Sequence, residues 1–219
     1  MCIRDRCQVV EKDGWCLEFV SDELKADKEI VLKALEGYNL LGVLQWASDE
    51  LKADKEVAKK GWLEFASDDL KADKNFVIEA VSMWGEALEF AANKLKDDKD
   101  VVLAAVQERL GSGEALKFAS ERLRKDKDLA LVAVNHKYNA YENVDETLKH
   151  DKELILAVVK QTGWMLREVP KKLQNDRDIV LAAVEQDGAA LEYASEKLKA
   201  DKDIVLTAVL SRVDALEFA

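Results

Sequence analysis

Carboxylates and amines are the most abundant reactive side chains of this sequence, with 44 Asp and Glu against 33 Lys and Arg, and their spacing decides what they could do. An Asp followed directly by Lys or Arg recurs at Asp27, Asp54, Asp73, Asp98, Asp126, Asp151, Asp176 and Asp201. Carboxylates that recur with flanking cations make solvated ion pairs, and no two stand apart from the recurrence as an acid/base dyad. The two histidines, His136 and His150, come without the further clustered ligands that a tetrahedral metal site needs. The sequence carries neither a phosphate-cradling glycine loop nor a nucleophile elbow. These residues point away from an enzyme: no catalytic residue, no metal ligand and no cofactor is expected.

Binding chemistry is a better match. Trp15, Trp62 and Trp164 each follow a Gly and Trp84 precedes one, and tryptophan is enriched at interaction hot spots. A row of them along one turn edge would make a binding stripe; packing between adjacent turns is the simpler account and the one favoured. A second group, Asn135, His136, Tyr138, Asn139 and Tyr141, gathers polar and aromatic side chains in one stretch. It reads either as a specialised recognition patch or as a decayed segment whose polar residues are merely solvated.

Both groups must be positioned by a repeat. With the Asp of each Asp-Lys or Asp-Arg pair as column 1, units run over 7–26 (partial), 27–53, 54–72 (shortened), 73–97, 98–125, 126–150, 151–175, 176–200 and 201–219 (partial). The cleanest is Asp176 to Ala200, DRDIVLAAVEQDGAALEYASEKLKA. Columns 4, 5, 6, 8 and 9 are apolar, the stripe of a helix rather than the alternation of a strand. The spacing predicts a first helix over columns 2 to 12, capped by the Asp at column 1. Gly at column 13, in Gly14, Gly85, Gly113, Gly163 and Gly188, is expected to be a left-handed stop. Columns 15, 16, 18 and 19 then predict a second, shorter helix. One unit places Pro170 at column 20, and Pro suits the first position of a helix but not its interior. A break near columns 19 to 20 follows, with a single turn closed by the Leu of column 23. One such unit cannot bury enough apolar surface alone, so neighbours must supply the rest, and the fold class expected is all-α: an α-solenoid of stacked helix-turn-helix repeats of about 25 residues.

Three units depart in length. Asp54 to Ala72 has 19 residues and room for at most two turns of first helix, which implies a local dislocation of the stack or a deletion made when the sequence was assembled. Asp27 to Ala53 carries extra residues around Gly37 to Gly42, and Asp98 to Lys125 carries others at the Gly111-Ser112-Gly113 turn. Asp126 to His150 departs instead in composition, with Tyr138 in the glycine column and Asn143 in the aromatic one.

A net charge of -11 argues against nucleic acid or an anionic membrane as partner. No apolar run is longer than six residues, Val101 to Val106 among them, far short of a bilayer span. Cys7 stands in a Leu column and Cys16 in an Ala column, as small hydrophobes do, which suits a reducing compartment. The opening MCIRDR fits no column and resembles a translated sequencing adapter, so Met1 to Arg6 is set aside from fold reasoning. Both ends then lie inside repeats, without visible polar caps, and end-to-end self-association through them is expected.

The columns DKDVVLAAV at Asp98 to Val106, the AL-aromatic-AS run at Ala115 to Ser120 and the Leu-Lys-x-Asp boundary resemble the tandem helical repeats known as domain of unknown function 4116 (DUF4116). That resemblance implies the repeat fold and transfers no catalytic or binding residue. The expected function is a non-catalytic scaffold or protein-interaction module; the alternative is a passive structural spacer in a larger protein whose active domain lies elsewhere.

Overall fold

The computed structural model describes residues 13–36, 42–110 and 113–219. Every element among them is helical. Met1 to Arg6, Cys7, most of the Gly37 to Gly42 insertion and Gly111-Ser112 lie outside the described residues. The chain forms two compact units, 1–110 and 111–219. The boundary falls inside the repeat 98–125, at its insertion, and each unit is built from the same repeat.

Asp176 to Ala200 again shows the pattern. The Asp176 carboxylate accepts the backbone N–H groups of Asp178 and Ile179 at 3.0 and 3.3 Å, satisfying amides that the helix itself leaves unpaired. The helix runs Arg177–Gln186. All eight column-1 aspartates cap their helices in this way. The second element, Gly188–Tyr193, is a 3₁₀ helix rather than an α-helix. Its buried positions explain the tighter winding: Gly188, Leu191 and Ala194 are three apart, and a 3₁₀ helix stacks i and i+3 on one face. Ala194 and Ser195 are extended, and the single turn Glu196–Lys199 carries the buried Leu198. The break expected at columns 19 to 20 is therefore present. At Ser48, Ser67 and Ser120 the hydroxyl also caps this turn.

The left-handed expectation holds at Gly113 and fails at Gly14, Gly85, Gly163 and Gly188. Among the described residues only Gly42 (φ 79°) and Gly113 (φ 89°) have positive φ. Gly14, Gly163 and Gly188 are needed instead for closeness: a Cβ on them would stand within 3.0 Å of the carbonyl oxygens of Ala34, Ala183 and Ala208. Each of those alanines occupies column 8 of the following repeat, so the glycine lets one repeat settle onto the next helix.

Two further contacts recur between neighbours. The column-2 cation bridges to the column-1 Asp, and usually also the column-3 acid, of the next repeat. Lys28 meets Asp54 and Glu56, Lys74 meets Asp98 and Asp100, Lys127 meets Asp151 and Glu153, and Lys152 meets Asp176 and Asp178, all at 2.7 to 2.9 Å. The column-20 N–H donates to the column-24 carbonyl of the preceding repeat, as from Ser48 to Lys25, Ser67 to Lys52, Ala92 to Lys71, Asp145 to Arg124 and Ser195 to Gln174. Among the described residues no helix is long and apolar enough to cross a membrane.

Candidate functional site

The shortened repeat opens a cavity on the surface. Its first helix, Lys55–Lys60, stops at column 7, while the next runs Lys74–Met83. Lys74–Met83 packs side by side with Lys99–Val106, and Arg177–Gln186 with Lys202–Ser211, whereas the backbones of Lys55–Lys60 and Lys74–Met83 come close at few points. A cavity of about 490 Å³ lies there, with Leu63, Trp62, Phe76, Ala80, Met83 and Trp84 on its apolar walls. Trp62 and Trp84 meet edge to face with ring centroids 4.2 Å apart. Lys59 and Lys60 also line it; Lys59 pairs with Glu79 at 2.6 Å and Lys60 with Glu36 at 2.5 Å. Gly61 lines the cavity too, turned against the Leu44 side chain rather than onto an alanine carbonyl. The volume and the mostly apolar, aromatic walls are those of a binding cleft.

The other proposed side chains fall in several places. Tyr138 and Trp164 are joined edge to face at 6.2 Å, and the Arg167 guanidinium lies 5.4 Å from the Trp164 ring. Both rings remain more than a third exposed. Asn135 and His136 are exposed at the end of the helix Lys127–His136, and Asn139 is half-buried with its amide against Gly113. Trp15 is as exposed as Trp164, but among the described residues no ring contact joins it to another aromatic. The tryptophans thus form a pair at the cavity and separate edges elsewhere.

Tyr141 behaves differently from its neighbours in sequence. It occupies the column filled by Leu191 and Leu166, is 3% exposed, and donates its hydroxyl to the Lys149 carbonyl at 3.1 Å. Lys149 is a column-24 residue, and the N–H that would normally reach it belongs to column 20 of the next repeat. That residue is Pro170, which has no N–H. Tyr141 replaces the missing donor. Burial, with Glu146 and Glu168 nearby, pushes its pKa up to about 12. In the repeat that holds Pro170 the closing turn is 3₁₀, Leu173–Asn175, and the buried Gln174 amide donates to the carbonyls of Leu166 and Val169 at 2.9 and 3.0 Å.

The repeating acids are engaged within the fold. Hydrogen bonds from Lys28, Lys74 and Lys127 hold the carboxyls of Asp54, Asp98 and Asp151 below the usual range. The buried Glu108 accepts the Gly85 N–H, and the Gln186 side chain accepts that of Gly163. Among the described residues no group of three or more His, Cys, Asp or Glu is placed to hold a metal. Cys16 is free and half-buried.

Capped first helices, 3₁₀ segments and closing turns, repeated and locked by the same contacts, define a tandem helical-repeat protein. The chain belongs to the family described as Domain of unknown function (DUF4116), whose model matches residues 7–42, 59–96, 73–110, 98–149, 151–199 and 176–219. No curated protein and no solved structure matches the chain.

Proposed function

We propose that this chain is a non-catalytic helical-repeat module that binds a protein partner. The observation that carries the reading is the aromatic cavity at the shortened repeat. The recurring Asp and Lys side chains are occupied in capping helices and bridging repeats, so they offer little to a substrate. Tyr138 and Trp164 are each more than a third exposed and Trp62 and Trp84 half-buried beside the cavity, and Trp and Tyr anchors dominate protein interfaces. A passive spacer has no use for such a cleft.

The last repeat also exposes apolar side chains, with Leu210 at 87%, Val213 at 79% and Leu216 at 62%. Val213 stands in the glycine column. Tyr138 stands in the same column with another repeat packed beyond it, so this residue does not decide between the two places, and the cavity and aromatic edges are preferred for their Trp and Tyr anchors. The test is retention of a co-purified partner by the full chain and by a Met83→Glu, Tyr138→Ala, Trp164→Ala variant with an unchanged helical circular dichroism spectrum. Loss of the partner is expected; equal retention would sink the proposal.

A further inference from the structure

The interfaces between regular repeats show what the cavity lacks. The shortened repeat has 19 residues where the regular one has 25, and the residues missing are the last turn and a half of its first helix. The helix that should be covered is Lys74–Met83. Its column-8 residue, Ala80, is half-buried, whereas the column-8 alanines Ala34, Ala105, Ala133, Ala183 and Ala208 are 0 or 1% exposed. Met83, one turn on, is 49% exposed. Phe76, Ala80, Met83 and Trp84 follow one another at i, i+4, i+7 and i+8, a helical stripe that another helix can pack against.

We infer that the cavity is a socket for one apolar helical turn supplied by a partner protein, seated where the missing turn of the repeat would lie; this rests on the interaction-module reading above. Continuity with the repeat interface selects a helix over an extended peptide. Among the described residues the neighbouring repeats have no strand to extend, and the opposing surface has helical spacing. Small or branched side chains on one helical turn, like Ala183 and Val184 of the regular repeat, suit a cleft whose floor is Ala80 and whose walls are Trp62 and Trp84. The Lys59–Glu79 and Lys60–Glu36 pairs at the lip leave the partner's flanking charges mixed rather than strongly acidic.

The probe is a fluorescein-labelled peptide with the sequence of Asp176 to Asp187, beside a scrambled peptide of the same composition. Fluorescence anisotropy with the full chain should show saturable binding of the first peptide only. Met83→Glu, which alters an exposed side chain, should weaken it about tenfold or more. Inserting the sequence of Ala183 to Gly188 between Lys60 and Gly61 should fill the socket, abolish peptide binding and raise the melting temperature. Absence of saturation, equal binding of the scrambled peptide, or undiminished binding by the insertion variant would each overturn the socket. So would a naphthalene sulfonate dye that binds the cavity and is not displaced by the peptide, an outcome assigning it to small molecules. Partner retention that survives Met83→Glu and insertion but is lost with Tyr138→Ala and Trp164→Ala would refute the socket alone, leaving the interaction module intact.

Discussion

Replacing Tyr141 by Phe removes one oxygen from the core and should expose the dependence of that oxygen on a proline 29 residues away. The ring stays, so packing is nearly unchanged. What is lost is the donor to the Lys149 carbonyl, whose partner elsewhere is an N–H that Pro170 lacks. An acceptor left unpaired on burial costs about 1–3 kcal/mol. Lys149 is half-buried and water can partly compensate, so about 1 kcal/mol is expected. In a Pro170→Ser background the column-20 N–H returns, and Tyr141→Phe should then cost less than about 0.5 kcal/mol, a coupling typical of groups sharing one partner. Urea unfolding followed by circular dichroism gives all four stabilities by linear extrapolation. Equal costs of Tyr141→Phe in the two backgrounds would refute the account. The pH dependence supplies an independent reading. With a folded pKa raised to about 12, against about 10 unfolded, Tyr141 contributes stability that is fully present below pH 10 and is lost as pH rises toward 12. The stability gap between the parent and Tyr141→Phe should therefore narrow above pH 10.

Other expectations follow from the same contacts. Gly188→Ala should destabilise by about 1–3 kcal/mol because the new Cβ meets the Ala208 backbone carbonyl, a loss that thermal melts measure directly. Asp98→Ala removes a helix cap and a bridge to Lys74 together and should cost about 1–2 kcal/mol, most of it from the cap. Asp54, Asp98 and Asp151 have depressed pKa values, so their contribution is present above the ordinary Asp range and is lost as pH falls through the depressed values. Lys74→Gln should flatten that acid-side loss, measured as melting temperature against pH. Gln174→Leu leaves the Leu166 and Val169 carbonyls without their donor and should cost about 1–3 kcal/mol.

The period, the Asp caps, the closing turn and the dislocation at Asp54 to Ala72 were legible in the sequence because each depends on residues close together in the chain. The 3₁₀ winding of the second element was present as a spacing of three, Gly188, Leu191, Ala194, but apolar positions at 15, 16, 18 and 19 suit an α-helix equally well. The glycine column mixes two demands: Gly113 is left-handed as expected, whereas Gly14, Gly163 and Gly188 allow a close approach, and only the carbonyl of the next repeat distinguishes them. The candidate site was legible in part. Trp62 and Trp84 could be named, but their convergence depends on a helix that is not there. Tyr141 and Pro170 each stood out as a departure; that one compensates the other required knowing that column 20 donates to column 24 of the preceding repeat. Lysines and aspartates looked like pairs along one helix face, and the bridges between repeats could not be told from those by spacing alone.

Irregularity and exposed chemistry have a common origin here. In a regular repeat the Asp caps and bridges, the Lys bridges, the Gly admits the next helix and the column-8 Ala fills the contact, so substitution at any of them disturbs two repeats at once. Removing a helical turn releases the neighbour from that constraint. Ala80 loses its cover and Met83, polar in several other copies, becomes an apolar residue facing open space. Filling the glycine column has a related effect at Tyr138, whose ring cannot enter the close contact Gly188 makes and instead remains exposed against Trp164. On the proposed interaction reading, specificity is written where the repeat's own contacts are relaxed, and the regular copies, however well they state the fold, contribute the rigidity that holds those places in position.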